Sequence, residues 1–317
     1  MLDPSATAFL FPGQGSQQVG MGARLAAAYR VARQTFEEAD DLLGFPLSKL
    51  CFEGPEEVLT DTVNAQPALY VAGIAALRTL YEELDDDLFQ PAFVAGHSLG
   101  ELTALTAAGA MSFPDGLKLV RRRGELMREA GQHSPGGMAA VLGLDTPLIE
   151  AACAEARTAT GGVVVVANDN CPGQVVIAGD EVTLQEAMSR LEQAGAKRVV
   201  RLPVSIAAHS PLMARAQAEF RRALEETPFH PPLIPIIGNT QARPLTSAEE
   251  VRAELSAQLT SPVRWTESVR AMIAAGITTF VELGSRDVLV GLVKRIQGDT
   301  RRYVVDAPEG IAALQSA

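Results

Sequence analysis

The sequence predicts an α/β protein in which helices cover a parallel sheet and a smaller unit is inserted into that core. In most of the first half, short apolar segments alternate with helical segments rich in small residues, which is typical of a helix-covered parallel sheet. Between about residues 138 and 203 the predicted order changes to strand, helix, strand, strand, helix and strand. This second order is typical of a split βαβ arrangement.

The first half supplies the opening elements of the core. Apolar runs predict strands at residues 8–11 and 92–95, and periodic apolar positions predict helices at 67–80, 99–110 and 115–129. Because strands and helices alternate here, we expect the strands to run parallel.

The inserted unit has the βαββαβ order of a ferredoxin-like module. Its elements are predicted at residues 138–144, 147–157, 163–168, 174–179, 182–194 and 198–202. The chain then returns to mixed elements, with helices at 211–226, 263–275 and 287–296 and a strand at 279–282. We therefore expect a ferredoxin-like subdomain at residues 128–200, and a core formed by residues 1–127 and 201–317.

The composition argues against several classes of function. The chain has 317 residues, of which 47% are hydrophobic, so it can bury a large core. Its net charge of −11 would repel a phosphate backbone, and no segment approaches the ~18 consecutive apolar residues that cross a bilayer. Three cysteines without a CxxC pair and four dispersed histidines predict no metal site. We expect a cytoplasmic protein with no nucleic-acid partner, no membrane contact and no metal.

One serine has the surroundings of a nucleophile. Ser98 lies between Gly96 and Gly100, where a predicted strand turns sharply into a helix. Small neighbours are needed where strand and helix approach closely, and the turn projects the serine hydroxyl. The first amides of the helix, beginning with Leu99, would then lie near the serine oxygen and could stabilise an oxyanion. The alternative is a tight turn without chemistry. The motif otherwise favours an α/β-hydrolase-like core.

A serine nucleophile needs a base, and His209 is the best candidate. His97 is adjacent to Ser98, and consecutive side chains leaving a strand point in different directions. His133 and His230 lie in loops rich in glycine or proline, whereas His209 follows an apolar strand and precedes a helix. Its alternative is a structural imidazole. Because no carboxylate is well placed for a triad, we expect a serine–histidine dyad whose imidazole is oriented by a carbonyl.

Arg123 is predicted to be buried. On the helix at 115–129 its neighbours at i±3 and i±4 are apolar: Leu119, Val120, Leu126 and Met127. Arg121 and Arg122 instead lie on the solvated face. A buried guanidinium needs an anion, and its fork fits a carboxylate. From the pattern alone, an internal ion pair and a bound carboxylate are both open.

Several ordered motifs extend along nearly the whole chain. They are FPGQGSQ at 11–17, GHSLGE at 96–101, RRRGELM at 121–127, NDNCPGQVVIAG at 168–179, His209, and QLTSPVRW at 258–265. Together they resemble the malonyl-CoA:acyl carrier protein transacylase family. The rival interpretation of Gly13-Gln14-Gly15 as a dinucleotide-binding turn is disfavoured, because Gln18 replaces the third glycine of that motif.

The resemblance assigns roles to the matching positions. It implies that Ser98 is acylated, that His209 acts as general base and acid, and that the backbone amides of Gln14 and Leu99 form the oxyanion hole. It also implies that the main-chain carbonyl of Gln258 orients the histidine, which would account for the missing acid.

The resemblance also bears on substrate choice. It favours the malonyl carboxylate as the anion held by Arg123. Two positions depart from the family pattern. Ala208 stands where bacterial members commonly have serine, and Gly284-Ser285 replaces the usual glycine-proline. The first departure leaves the tolerance for methylmalonyl and other acyl groups open.

The expected reaction is a two-step malonyl transfer from malonyl-CoA to the phosphopantetheine thiol of acyl carrier protein, without a cofactor and by a monomer, supplying fatty-acid synthesis. The rival enzyme is a thioesterase or esterase, in which water accepts the acyl group. The non-catalytic rival is a module that docks carrier protein without forming an acyl-serine. Candidate docking residues for an acidic carrier protein are two basic pairs, Lys294 with Arg295 and Lys197 with Arg198.

Overall fold

Two sheets organise the part of the chain that the computed structural model describes, residues 2–84 and 89–316. Their strands are β1 (Thr7–Phe11), β2 (Phe93–Gly96), β3 (Gly136–Leu142), β4 (Val164–Cys171), β5 (Gln174–Asp180), β6 (Arg198–Arg201), β7 (Ile236–Ile237), β8 (Pro244–Leu245), β9 (Thr279–Leu283) and β10 (Arg301–Val305).

Helices cover both sheets. They are α1 (Ala23–Ala28), α2 (Arg30–Leu43), α3 (Leu47–Glu53), α4 (Glu56–Thr60), α5 (Thr62–Leu84), α6 (Leu99–Ala107), α7 (Phe113–His133), α8 (Thr146–Thr160), α9 (Glu181–Gln193), α10 (Ala214–Glu226), α11 (Ala248–Gln258), α12 (Trp265–Ala274), α13 (Val288–Ile296) and α14 (Pro308–Gln315). Short 3₁₀ turns occur at Pro4–Ala6 and Pro211–Met213. None of the described helices combines the length and apolar character needed to cross a membrane.

The larger sheet has the order β10-β9-β1-β2-β7-β8, and all neighbours are parallel except β7 and β8. Every residue of β1 is buried because helices cover both faces. Phe9 and Phe11 pack into one apolar cluster, whereas Ala8 and Leu10 pack into another on the opposite face. The predicted α/β class with a parallel-sheet core is confirmed.

The smaller sheet is antiparallel, with the order β4-β5-β3-β6. This is the ferredoxin-like arrangement predicted from the βαββαβ order. One face packs against α8 and α9 through Ile149, Leu184 and their apolar neighbours. These elements occupy Gly136–Arg201, and the limits 128–200 given for the subdomain stay a prediction.

The two sheets are joined through β4 and the segment before α12. The Asp169 amide donates to the carbonyl of Val263 at 2.9 Å, and the Val263 amide donates to Ala167 at 2.9 Å. In addition, the hydroxyl of Thr266 donates to the Asp169 carboxylate at 2.6 Å. The NDN segment at 168–170 is therefore held against the core.

Candidate active site

Ser98 occupies a sharp turn between β2 and α6. Its backbone has φ 52° and ψ −105°, a conformation that costs energy for a residue with a side chain. A Cβ added at Gly96 would lie 1.9 Å from the carbonyl of Gly100, and one added at Gly100 would lie 1.9 Å from the carbonyl oxygen of Phe11. The strand, the turn and the helix can therefore approach this closely only with glycine on both sides of the serine.

The structure brings Ser98 and His209 together. The Ser98 hydroxyl lies 2.8 Å from Nε2 of His209. The Nδ1 atom of His209 lies 2.9 Å from the carbonyl oxygen of Gln258 and 3.1 Å from that of Ser261. Since a carbonyl can only accept, Nδ1 carries the proton and Nε2 is free to accept the serine proton. The base is thus oriented by carbonyl oxygens, as the sequence predicted.

His209 is held in its neutral form. Burial, the largest effect, and the Arg123 cation together lower its pKa to about 3, although the carbonyl hydrogen bonds oppose this shift. At neutral pH the imidazole is therefore unprotonated, which is the state that a general base requires.

Arg123 projects from α7 into the same site and is only 1% exposed, so its predicted burial is confirmed. Its Nη1 donates to the side chain of Gln66 at 2.8 Å, and its Nη2 donates to the Ser98 hydroxyl at 3.0 Å and to the side chain of Gln258 at 2.9 Å. Its Nε has no hydrogen-bond partner among the described residues.

No carboxylate of the described residues contacts the Arg123 guanidinium. Among residues 2–84 and 89–316, no Asp or Glu oxygen lies within ion-pair distance of this guanidinium. Burial lowers its pKa to about 10, and the Coulombic effect of Glu101 opposes this shift, so the group stays charged at neutral pH. A buried cation beside the nucleophile can therefore bind an anion.

Gln258, the last residue of α11, bonds to Arg123, His209 and Ser98. The sequence indicated only its carbonyl. Its side-chain Oε1 accepts from Arg123, and its Nε2 donates to the main-chain carbonyl of Ser98 at 3.0 Å and to the carboxylate of Glu101. Gln258 therefore connects Ser98, His209 and Arg123.

Sequence reasoning missed Glu101 and Asn239. Glu101 is fully buried on α6 and accepts the amide of Asn239 at 2.9 Å. The side chain of Asn239 accepts the Ser98 amide at 2.7 Å and donates to the carbonyl of Gly96 at 2.7 Å. A carboxylate within the otherwise apolar start of α6 was the signal that could have identified Glu101.

The residues predicted for the oxyanion hole lie at the same edge of the large sheet. Gln14 follows β1 and Leu99 begins α6, while the paired ends Phe11 and Gly96 bring the two segments side by side. The side chain of Gln14 accepts the Thr62 hydroxyl at 2.9 Å. Amides at a helix N-terminus lack partners within the helix, so that of Leu99 is available to an oxyanion. The oxyanion role of both amides stays a prediction.

The smaller sheet also reaches the site. Nε2 of His97 lies 2.8 Å from the side-chain oxygen of Asn170, which belongs to β4, and its ring packs against Trp265. Burial lowers the pKa of His97. Neither contact was expected from the sequence, because Asn170 is distant along the chain.

The remaining candidates lie outside this cluster. The hydroxyl of Ser16 donates to the Gly13 carbonyl at 2.7 Å. His133 and His230 are exposed, but His133 is the last residue of α7, so its predicted loop position is wrong. In the described parts of the chain, no group of three or more His, Cys, Asp or Glu side chains is arranged to hold a metal ion.

The fold and the site together fit an acyl-transfer enzyme, because a serine in a sharp strand-to-helix turn contacts both a carbonyl-bonded histidine and a buried guanidinium. The model of the acyl transferase domain family matches residues 8–302. The chain belongs to this family and is an acyltransferase.

Two relatives are similar to this chain over almost their entire length. A malonyl CoA-acyl carrier protein transacylase of Bacillus subtilis (strain 168) is 43% identical over 97% of this chain and 95% of the relative. That of Escherichia coli (strain K12) is 42% identical over 96% of this chain and 97% of the relative.

Solved structures have the same fold. An acyl carrier protein S-malonyltransferase from Vibrio cholerae superposes with a TM-score of 0.93 at 44% identity, covering 98% of this chain and 99% of that one. A type II PKS acyl-carrier protein in complex with its malonyl-transacylase gives a TM-score of 0.94 at 41% identity, covering 98% and 99%.

Proposed function

We propose that the protein transfers the malonyl group of malonyl-CoA to the phosphopantetheine thiol of an acyl carrier protein, through a malonyl ester of Ser98, and so supplies fatty-acid synthesis. The observation that carries this proposal is the Arg123 guanidinium, which is buried without a contacting carboxylate 3.0 Å from the Ser98 hydroxyl. The names of the relatives support the same donor and acceptor.

The first half-reaction acylates the enzyme. Nε2 of His209 takes the proton of Ser98, whose oxygen attacks the thioester carbonyl and forms a tetrahedral oxyanion. The backbone amides of Gln14 and Leu99 are assigned to stabilise this charge. Collapse breaks the carbon–sulfur bond, and the protonated histidine returns its proton to the departing thiol of CoA.

The second half-reaction repeats these steps with another thiol. His209 takes the proton of the phosphopantetheine thiol, the sulfur attacks the malonyl ester, and the Ser98 oxygen leaves and recovers the proton. The two half-reactions balance without a metal or an organic cofactor. Because both substrates use one site in turn, we expect ping-pong kinetics. A monomer acting in the cytoplasm is part of this proposal.

Arg123 supplies the selectivity for a carboxylated acyl group. Nε and Nη2 form the side-on edge of a guanidinium, which can donate two parallel hydrogen bonds to one carboxylate. Here Nε lacks a partner within the described chain, and Nη2 faces Ser98. A malonyl carboxylate on this edge would place its thioester carbonyl next to the nucleophile.

The test is the mass of the intact protein after mixing with malonyl-CoA. The proposal predicts one malonyl group on the wild type, which is discharged on addition of holo acyl carrier protein with formation of malonyl carrier protein. Release of free malonate at the same rate without carrier protein would identify a thioesterase instead. Absence of any adduct, with carrier protein still bound, would identify a docking module.

A further inference from the structure

Glu101 is a buried carboxylate that the reaction steps above do not use. It lies on the first turn of α6, three residues after the nucleophile. One of its oxygens accepts the Asn239 amide at 2.9 Å, and the other accepts a hydrogen bond from Nε2 of Gln258. Both donors contact Ser98 in turn, Asn239 through its side-chain oxygen and Gln258 through its Nε2.

The contact with Gln258 matters because an amide side chain has two ends of nearly equal size and opposite hydrogen-bonding character. Arg123 can only donate, so Gln258 must present its oxygen to Arg123 and its nitrogen to the other side. On that other side, the Ser98 carbonyl and the Glu101 carboxylate accept the two N–H groups of Gln258. A rotated amide would place N–H groups against Arg123 and an oxygen against a carboxylate.

We propose that Glu101 is a positioning residue for recognition of the acyl group: its carboxylate fixes the orientation of the Gln258 amide, which holds Arg123 beside Ser98. This proposal rests on the proposed function, because it assigns Arg123 to the substrate carboxylate. It places Glu101 two hydrogen bonds away from the cation, with no contact to the reacting atoms.

The surroundings of Glu101 agree with this role. Burial raises its pKa and the nearby carboxylate of Glu254 raises it further, while the two N–H donors and the Arg123 cation lower it. Glu254 itself is occupied elsewhere, since its two oxygens accept the amide and the hydroxyl of Thr240, each at 2.6 Å. Glu101 is thus the acid whose side chain bonds directly to Gln258.

The substitution Glu101→Gln tests the proposal because it keeps the size of the side chain and changes one acceptor into a donor. Whichever way the new amide is turned, its N–H₂ group faces either Nε2 of Gln258 or the amide of Asn239. We expect the KM for malonyl-CoA to rise about tenfold, since a buried donor is left unsatisfied next to Arg123. Acetyl-CoA has no carboxylate for Arg123, so the malonyl-to-acetyl ratio of kcat/KM should fall.

Glu254→Gln is the matched control, because it also replaces a buried acid by its amide but leaves the contacts of the Gln258 amide in place. Its malonyl-to-acetyl ratio of kcat/KM should equal that of the wild type. A double-mutant cycle completes the test: in an Arg123→Ala background, Glu101→Gln should not lower the ratio further.

The proposal would be overturned if Glu101→Gln lowered kcat/KM equally for malonyl-CoA and acetyl-CoA, or if its effect on the ratio added to that of Arg123→Ala. Either result would leave the malonyl transfer itself intact. A wild type that forms no malonyl adduct would instead contradict the proposed function. If Glu101→Gln does not fold, Glu101→Asp is measured in the same way, because it withdraws the oxygens from Gln258 and keeps the carboxyl group. The same lowered ratio would support the proposal, and an unchanged ratio would overturn it.

Discussion

The hydroxyl of Ser98 lies between a neutral imidazole and a guanidinium cation. His209 can accept its proton at 2.8 Å, and Arg123 donates to its oxygen at 3.0 Å. A cation at this distance favours the alkoxide that develops as the proton leaves. A carbonyl-oriented histidine can therefore activate this serine without a carboxylate partner.

At the scale of single residues, we expect Ser98→Ala to abolish formation of the malonyl-enzyme. Ser16 is the other hydroxyl in the adjacent glycine-rich turn, but it donates to the Gly13 carbonyl and does not contact the base. Intact mass after incubation with malonyl-CoA measures the adduct. An adduct that persists in the variant would contradict the assignment of the nucleophile.

His209 should not titrate in the neutral range. Its pKa is lowered to about 3, so the imidazole is neutral at every pH above that value and becomes protonated only as the pH falls through it. In the free enzyme we expect the ring proton signals of His209 in NMR to stay constant from about pH 8 to pH 5, whereas an ordinary histidine changes near 6.5. The spectrum of His209→Gln assigns the signal. A midpoint near 6.5 would show that burial does not control this group.

Arg123→Ala should change substrate choice more than reactivity. Loss of the cation removes the partner of the malonyl carboxylate, at a cost of roughly 2–5 kcal/mol in transfer of that group. The kcat/KM for acetyl-CoA should fall much less or even rise. In the wild type an acetyl group leaves the Arg123 cation unpaired, and the variant removes that cost. The ratio of kcat/KM for malonyl-CoA to that for acetyl-CoA shows whether Arg123 selects the substrate or only supports the fold. Equal losses would mean that Arg123 is structural.

Local patterns were sufficient to find some of these residues but not others. The glycine-flanked turn identified Ser98, the position between strand and helix identified His209, and helical periodicity identified Arg123. Glu101 and Gln258 contact each other although they are 157 positions apart in sequence. Such a contact depends on tertiary packing, which no local spacing encodes.

At the scale of elements, the turn from β2 into α6 is the most constrained feature of the site. We expect Gly100→Ala to be severely destabilising, because its Cβ would lie 1.9 Å from a backbone carbonyl of β1 that cannot move alone. Gly291→Ala in α13 is the control, since no atom of the described residues lies within 4 Å of its added Cβ and alanine favours a helix by about 0.5–1 kcal/mol. Urea denaturation of both variants measures the difference. A Gly100→Ala variant as stable as the wild type would contradict the steric argument.

Long elements with clear periodicity were predictable, but their limits were not. The helix expected at 67–80 spans Thr62–Leu84, with Pro67 inside it. Proline lacks the N–H that would bond to the Val63 carbonyl, and Arg121 donates to that carbonyl instead at 3.1 Å. A partner from α7 therefore compensates for the missing donor, which the sequence of α5 alone does not indicate. The two-residue strands β7 and β8 are too short to produce a pattern.

At the scale of the whole molecule, the site lies where the two sheets meet. The strands β1, β2 and β7 end at one edge of the large sheet, and the segments that follow them form the site there. Ligand sites of parallel sheets commonly lie at this edge. Across from this edge, Asn170 of β4 contacts His97, next to the nucleophile. The smaller sheet therefore contributes to the surroundings of Ser98 through Asn170.

One residue of each basic pair proposed for docking lies beside a turn of the smaller sheet. Lys197 packs over Gly143, where an added Cβ would lie 2.5 Å from its Cγ. An added Cβ at Gly173 would lie 3.8 Å from the Cα of Gly143 and 3.9 Å from Nη2 of Arg295. Both pairs are exposed. The exposed pairs are therefore candidates for one basic surface, with Lys197 and Arg295 beside neighbouring turns of the smaller sheet.

This surface predicts a local electrostatic attraction in a protein whose net charge of −11 opposes an acidic partner. We expect Lys197→Glu and Lys294→Glu each to raise the KM for acyl carrier protein by roughly two- to fivefold at low salt, because each replaces an exposed attraction by a repulsion. The difference from the wild type should shrink as added salt screens these charges. Lys49→Glu on α3 is the control, since it makes the same change in net charge away from the two turns. The KM is measured by discharge of preformed malonyl-enzyme, which removes any effect on malonyl-CoA. If Lys49→Glu weakens carrier-protein binding as much as the other two variants, net charge and not this surface controls docking.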